Sequence, residues 1–168
     1  MKNIWKALGI TALLVLIAQK RTVKNEFKSY LGQANLPRGI RNNNPGNLIQ
    51  SSIAWKGKIP IDKNTDGHFE QFENFPFGIR AMIIDVRNDI LKGKDTLQKL
   101  ITAYAPPSEN NTEAYIKFME QRTGLNRNSM LQTTQSSLNS IVKAIAEQEN
   151  GKQYITDSDL NSAWSLLT

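Results

Sequence analysis

The carboxylate of Glu149 occupies a position where the surrounding helical pattern favours an apolar side chain. Upstream, apolar residues recur at the i, i+3, i+4 and i+7 spacing of one helix face, and they are Leu138, Ile141, Val142 and Ile145. Glu149 continues that face, while Glu147 points elsewhere around the helix. Asn150 and Gly151 are helix-ending residues, so Glu149 is expected at the rim of the core beside water. A carboxyl group in that setting suits a general acid, although an idle glutamate at a frayed helix end fits the same spacing.

The absence of cysteine and the presence of a single histidine, His68, restrict the available chemistry. Zinc hydrolases need several His or Cys ligands, and cysteine peptidases need a thiolate with an imidazole, so both classes are excluded. The chain also lacks a Gly-x-Ser-x-Gly motif for a serine nucleophile and a glycine-rich phosphate loop. An enzyme of this composition is expected to use Asp and Glu side chains, with no metal or other cofactor. Glycosidic bonds are substrates that such carboxylates cleave.

The net charge of +6 is concentrated at the N-terminus. Four of the 21 Lys and Arg residues lie in the first 21 positions, where no Asp or Glu occurs, which leaves +2 for the rest. That remainder has no basic, aromatic-interleaved surface, so no nucleic-acid partner is expected. The basic segment encloses an uncharged apolar run, residues 7–18. The run is shorter than a span of about 20 residues, and it predicts an uncleaved membrane anchor in residues 1–21, with a signal peptide as the alternative.

Beyond the anchor, the pattern divides the chain into a polar linker or stalk, residues 22–36, and one domain, residues 37–168. The linker contains a short helical pattern that Pro37 ends. In the domain, three β-rich pieces predict a small hairpin sheet, and they are residues 53–55, 58–61 and 68–72. Helical periodicity dominates the remainder. The predicted class is therefore α+β, mostly α, with an added N-terminal hydrophobic helix.

Residues 38–48 are too rich in Asn, Pro and Gly for a regular element and predict a turn-rich loop, here called the Asn-rich loop. Asn side chains combine a donor and an acceptor, as recognition of sugar hydroxyl and acetamido groups requires, but turn formation favours the same residues. The two interpretations are equally supported by the sequence. If the loop binds glycan, its candidate residues are Arg41, Asn43, Asn44 and Asn47.

A second polar cluster, residues 108–112, follows the helix break at Pro106 and Pro107. Asn111 or Thr112 is a natural N-cap for the next helix, which explains part of the cluster without any function. Glu109 in this cluster is a candidate second carboxylate.

Several motifs between residues 38 and 154 together carry a resemblance. They are residues 38–47, Trp55 with Gly57, Phe69 with Phe72, residues 78–81, residues 105–107 with Glu109, Asn110 and Thr112, and residues 149–151. In this order they resemble a family of small phage and prophage virion proteins related to lysozyme-like muralytic domains, among them lytic transglycosylases and glucosaminidases. Those domains place the catalytic glutamate at the end of a core helix, followed by a small polar residue and a turn, and residues 145–151 are similar. Their catalytic helix precedes the small sheet, so the resemblance implies a circularly permuted lysozyme-like domain.

The resemblance implies a membrane-anchored, virion-associated enzyme that cleaves the glycan strand of bacterial peptidoglycan, as a lytic transglycosylase or a muramidase. Glu149 would protonate the glycosidic oxygen, and in a hydrolase Glu109 or Asp66 would position water or stabilise positive charge. Related glucosaminidases nominate Glu26, before the Asn-rich loop, as an alternative acid. The saccharide cleft would be lined by the Asn-rich loop and by three further residues, Tyr104, Asn110 and Tyr115.

Two other functions fit the same sequence. One is a non-catalytic virion structural protein or peptidoglycan-binding module, because a fold does not establish an activity. The other is a membrane-anchored inhibitor or adaptor without glycan contact. For the enzyme, the expected partners are peptidoglycan, a membrane and other virion proteins, and the expected location is the virion or the bacterial cell envelope.

Overall fold

The computed structural model describes residues 27–108 and 111–167, and helices dominate this part of the chain, as predicted. The α-helices are α1 (Arg38–Arg41), α2 (Phe75–Leu91), α3 (Leu97–Tyr104), α4 (Thr112–Thr123), α5 (Gln135–Asn150) and α6 (Asp157–Ser165), and a 3-10 helix spans Ile61–Lys63. Helix α5 is central, because it packs against α1, α2 and α4. Helix α2 also packs against α6 and α3, and α3 packs against α4.

Apolar faces of these helices, among them the predicted face of α5, form one core. Its fully buried members include Ile79, Met82, Ile83, Leu97, Leu100, Ile101, Met119, Leu138, Ile141, Val142 and Ile145. Polar side chains begin the helices: Thr96, Asn111 and Thr134 each accept a hydrogen bond from a backbone N–H of the first turn. The N-cap of α3 is Thr96, and the carboxylate of the preceding Asp95 pairs with Lys99 at 2.8 Å.

The prediction of a hairpin sheet is wrong for the described residues. In residues 48–73, strand pairing is limited to two isolated antiparallel bridges, Ile49 with Phe69 and Lys58 with Phe72. One physical reason is that side chains occupy backbone groups a ladder would use. Asn44 Nδ2 donates to the Glu70 carbonyl oxygen at 2.9 Å, and Asn43 Nδ2 donates to the Phe72 carbonyl oxygen at 2.9 Å. Residues 70–72 are therefore held by the Asn-rich loop and not by a neighbouring strand.

The described part of the predicted linker, residues 27–36, contacts the domain through Lys28 and Tyr30. The Lys28 carbonyl oxygen accepts a hydrogen bond from Phe75 N at 2.8 Å, and the Tyr30 N–H donates to Asn43 Oδ1 at 2.8 Å. The Tyr30 ring packs edge-on against Phe75, with centroids 5.0 Å apart. These contacts hold the segment against the domain despite its polar composition, and the division into linker and domain stays a prediction.

The predicted membrane anchor, residues 1–21, lies outside the described residues, as do Glu26, Glu109 and Asn110. Across residues 27–108 and 111–167, no helix combines the length and the apolar character needed to cross a bilayer. The lysozyme-like relation and the circular permutation stay predictions.

Candidate active site

Helix α5 places Glu149 as its pattern predicts. Leu138, Val142 and Ile145 on the same face are fully buried, and Glu149 is half-buried in the last turn. Gly151 follows in the left-handed conformation, with φ of 76°, and ends the helix. Glu147 points away and forms an ion pair with Arg122 at 2.7 Å. The Glu149 carboxyl group therefore stands where the core meets solvent.

Two donors from different elements hold the two oxygens of the Glu149 carboxyl group. Asn47 Nδ2 of the Asn-rich loop donates to Oε2 at 2.8 Å. The Tyr115 hydroxyl of α4 donates to Oε1 at 3.0 Å. These two hydrogen bonds fix the orientation of the carboxyl group. Each oxygen keeps a further lone pair, so the group can still carry a proton.

The Glu149 side chain lines a cleft of about 450 Å³. This volume lies in the range of about 300 to 1,000 Å³ that is typical of small-molecule sites. Apolar residues form one part of the wall, and they are Leu48, Ile49, Ile53, Trp55 and Phe69. The polar part contains Asn47, Tyr104, His68 and two carboxylates of α2, Asp85 and Asp89. The cleft thus combines carboxylates with an aromatic and aliphatic surface.

The two tyrosines predicted for the cleft are permanent hydrogen-bond donors. Burial raises the pKa of Tyr115, and the charge of Glu149 raises it further. Burial also raises the pKa of Tyr104, with added contributions from Glu149, Asp85 and Asp89. Both hydroxyls therefore stay protonated at physiological pH. The Tyr104 hydroxyl donates to the Gly46 carbonyl oxygen, which fixes the end of the Asn-rich loop beside the cleft.

Asp85 and Asp89 also line the cleft, although they were not predicted from the sequence. They lie four residues apart on α2, where two like charges repel each other, and that spacing was the available signal. Asp89 pairs with Lys94 at 2.9 Å. Burial raises the pKa of the Asp85 carboxyl group, and the neighbouring charge of Asp89 adds to the effect. Within the described residues, no group of three His, Asp or Glu side chains has the arrangement of a metal site.

Comparison with known proteins places the chain among phage proteins. No family model matches it. Over 131 residues it is 33% identical to Protein P5 of Pseudoalteromonas phage PM2, a match that covers 76% of this chain and 79% of that protein. The chain belongs to the Protein P5 family. The phage part of the predicted resemblance is thereby confirmed, and this P5-family member is a phage-related protein.

In this P5-family protein, most of the Asn-rich loop does not face the cleft. Asn43 and Asn44 are fully buried and bond to backbone groups, so the structure supports turn formation for them and not the predicted glycan contact. Arg41 lines a separate hollow beside Lys63 and Asp66. Of the four predicted loop contacts, Asn47 alone lines the cleft with Glu149, judged over the described residues.

Asp66, predicted as a second catalytic carboxylate, lies apart from Glu149 in that separate hollow. Arg38 donates to both of its carboxylate oxygens, at 2.6 and 2.7 Å, and Asn42 Nδ2 donates at 2.7 Å. The backbone N–H of Phe69 adds a bond at 2.9 Å. These donors, the Arg38 guanidinium above all, hold the pKa of Asp66 well below its usual range. The carboxylate stabilises the loop, and its placement apart from Glu149 does not support the predicted role as a second catalytic carboxylate.

Because Gly39 of α1 has no side chain, the Asn-rich loop can approach the end of α5 in this P5-family fold. A Cβ atom at Gly39 would lie 2.6 Å from Asn47 Oδ1 and 2.7 Å from Asn150 Oδ1. Asn150 Nδ2 donates to the Pro45 carbonyl oxygen at 2.8 Å, which joins the helix end to the loop. With its oxygen packed against Gly39, the Asn47 amide presents its Nδ2 to Glu149.

Proposed function

We propose that this P5-family protein is a virion-associated enzyme that cleaves the glycan strand of bacterial peptidoglycan, with Glu149 as its general acid. One observation carries the proposal. The Glu149 carboxyl group ends a core helix, is oriented by Asn47 and Tyr115, and lines a cleft of ligand size. A glutamate that only ended a helix would need neither oriented donors nor a cleft.

The composition of the cleft wall supports a sugar as the substrate. Pyranose rings present C–H groups on their faces and hydroxyl groups at their edges, so they match a wall with apolar and polar parts. Trp55 and Phe69 supply aromatic surface at the cleft, and Ile49 and Ile53 remain 61% and 49% exposed there. Exposed apolar side chains beside hydrogen-bonding groups are a usual feature of ligand sites.

The geometry also supports the chemical step. Protonated Glu149 would donate its proton to the bridging oxygen of the glycosidic bond as that bond breaks. The carboxylate that results would keep the hydrogen bonds from Asn47 Nδ2 and the Tyr115 hydroxyl, since both donors are uncharged. Its position would therefore be the same before and after proton transfer, which is what a general acid needs in order to work in successive turnovers.

The decisive experiment is a cell-wall zymogram with the full chain, together with the release of soluble fragments from purified sacculi. We expect lysis by the wild type and a loss of about 1,000-fold or more for Glu149→Gln, which keeps the shape but has no acidic proton. Glu147→Gln is the matched control on the same helix, and it should retain activity because Glu147 faces away from the cleft. Equal lysis by Glu149→Gln and the wild type would refute the assignment. Sacculus binding without fragment release would instead support a non-catalytic binding module.

A further inference from the structure

Carboxylates from two different helices line the cleft. Glu149 is carried by α5 and Asp85 by α2, and these two helices pack against each other. The charges of both groups act on the Tyr104 phenol, which lies at the same cleft. The proposed acid therefore shares its cleft with two carboxylates of another helix, Asp85 and Asp89.

Asp85 differs from the other carboxylates near the cleft in its hydrogen-bond and ion-pair partners. Asp89 is neutralised by Lys94 at 2.9 Å, and Glu70 accepts from Lys58 at 2.7 Å. Among the described residues, no hydrogen bond or ion pair is made by the half-buried Asp85 side chain. Partial burial of a carboxylate without donors costs free energy of folding. A site that carries such a cost is often one where function opposes stability.

From this placement we infer that Asp85 is the second catalytic carboxylate, the base that activates water, so that the enzyme is a hydrolase and not a lytic transglycosylase. The inference rests on the proposed function of Glu149. A lytic transglycosylase needs no second carboxylate, because a hydroxyl group of the substrate attacks. A hydrolase needs a group that removes a proton from water.

The step is balanced with these two residues and one water molecule. Glu149 gives its proton to the bridging oxygen, and the bond between that oxygen and the anomeric carbon breaks with its electron pair on the oxygen. The water oxygen forms the new bond to the anomeric carbon while Asp85 accepts a proton from the water. The products are a reducing sugar end and a free hydroxyl group. Solvent then returns the proton from Asp85 to Glu149.

The test is product analysis of sacculi digested by the full chain, by mass spectrometry before and after borohydride reduction. We expect reducing ends from the wild type and a loss of about 100-fold or more for Asp85→Asn. Asp85→Ala supplied with azide should regain activity and form a glycosyl azide, because azide replaces the water that needs the base. Asp95→Asn, which changes an Asp paired with Lys99 outside the cleft, is the matched control and should keep its activity.

Thermal unfolding of the same variants separates catalysis from structure. Removal of an unpaired, half-buried charge should leave the melting temperature of Asp85→Asn unchanged or raise it, whereas a structural role would lower it. Anhydro-sugar ends from the wild type, or full activity of Asp85→Asn, would overturn the inference while leaving Glu149 as the acid. No products at all from the wild type would overturn the proposed function, and this inference with it.

Discussion

The two ends of the Asn-rich loop contain the same residue type in opposite roles. At the start, Asn42, Asn43 and Asn44 are buried, and each side chain both donates and accepts hydrogen bonds. At the end, Asn47 is half-buried and directs its amide nitrogen at the Glu149 carboxylate. The difference shows that an amide whose oxygen and nitrogen both bond to fixed protein groups maintains a fold. An amide that orients a titratable group in a cleft can serve chemistry.

The largest loss of stability is expected where α2 contacts the buried asparagines of the Asn-rich loop. A Cβ atom on Gly78 would lie 1.8 Å from the Asn43 carbonyl oxygen, a backbone atom that cannot move without displacing the loop. Gly78→Ala should therefore lower the free energy of unfolding by about 4 kcal/mol or more. Thermal unfolding followed by circular dichroism measures this, with Arg87→Ala on the exposed face of α2 as the control. A normal melting temperature for Gly78→Ala would mean that the loop and α2 need not touch.

A smaller loss of stability is expected for Asn43→Ala. The variant leaves the Tyr30 N–H and the Phe72 carbonyl oxygen without their partner, and it places alanine at a φ of 54°. The free energy of unfolding should fall by about 3 kcal/mol, and the melting temperature by about 10 °C. Wall lysis by the folded protein should be unchanged. Weaker sacculus binding at an unchanged melting temperature would restore the glycan-binding interpretation of Asn43.

At the other end of the loop, Asn47→Gly should act on activity more than on stability. Glycine accepts the φ of 50° at this position, so the variant removes the donor to Glu149 without adding backbone strain. Wall lysis should fall about 30-fold, equivalent to about 2 kcal/mol of transition-state stabilisation. Initial rates of fragment release and a parallel melting curve measure the two effects. If Asn47→Gly unfolds at a lower temperature but lyses walls normally, Asn47 has a structural role like that of Asn42, Asn43 and Asn44.

The smallest of these effects is expected for Asp66→Asn, and it depends on pH. The pKa of Asp66 is lowered in the folded protein, chiefly by Arg38, so its ionised form stabilises the fold above about pH 4, the pKa of an unfolded Asp. That contribution is lost as the pH falls further through the folded-state pKa. At pH 7 the variant should melt about 5 °C below the wild type, and the gap should close under acid conditions. A gap of constant size down to pH 2 would show that ionisation of Asp66 does not stabilise the fold.

The sequence by itself determined the longer helices and the placement of Glu149, but not α1, whose residues were predicted as part of a loop. Helical periodicity and end signals are local, so the apolar row from Leu138 to Ile145 predicted which face of α5 is buried. The same row placed Glu149 at the rim, and Gly151 ended the helix as expected. The resemblance also named Tyr104, which lines the cleft, and Tyr115, whose hydroxyl bonds to Glu149.

Only the tertiary structure decided which polar residues share the cleft with Glu149. Asp85 joins the site because α2 packs against α5, a contact that no local pattern contains. Asp66 leaves the site because Arg38, 28 residues earlier in the chain, holds it elsewhere. For the same reason, Asn42, Asn43 and Asn44 stabilise the fold, while Asn47 lines the cleft. A hydrogen bond depends on the position and direction of its partner, and residues distant in sequence acquire those positions only when the helices pack.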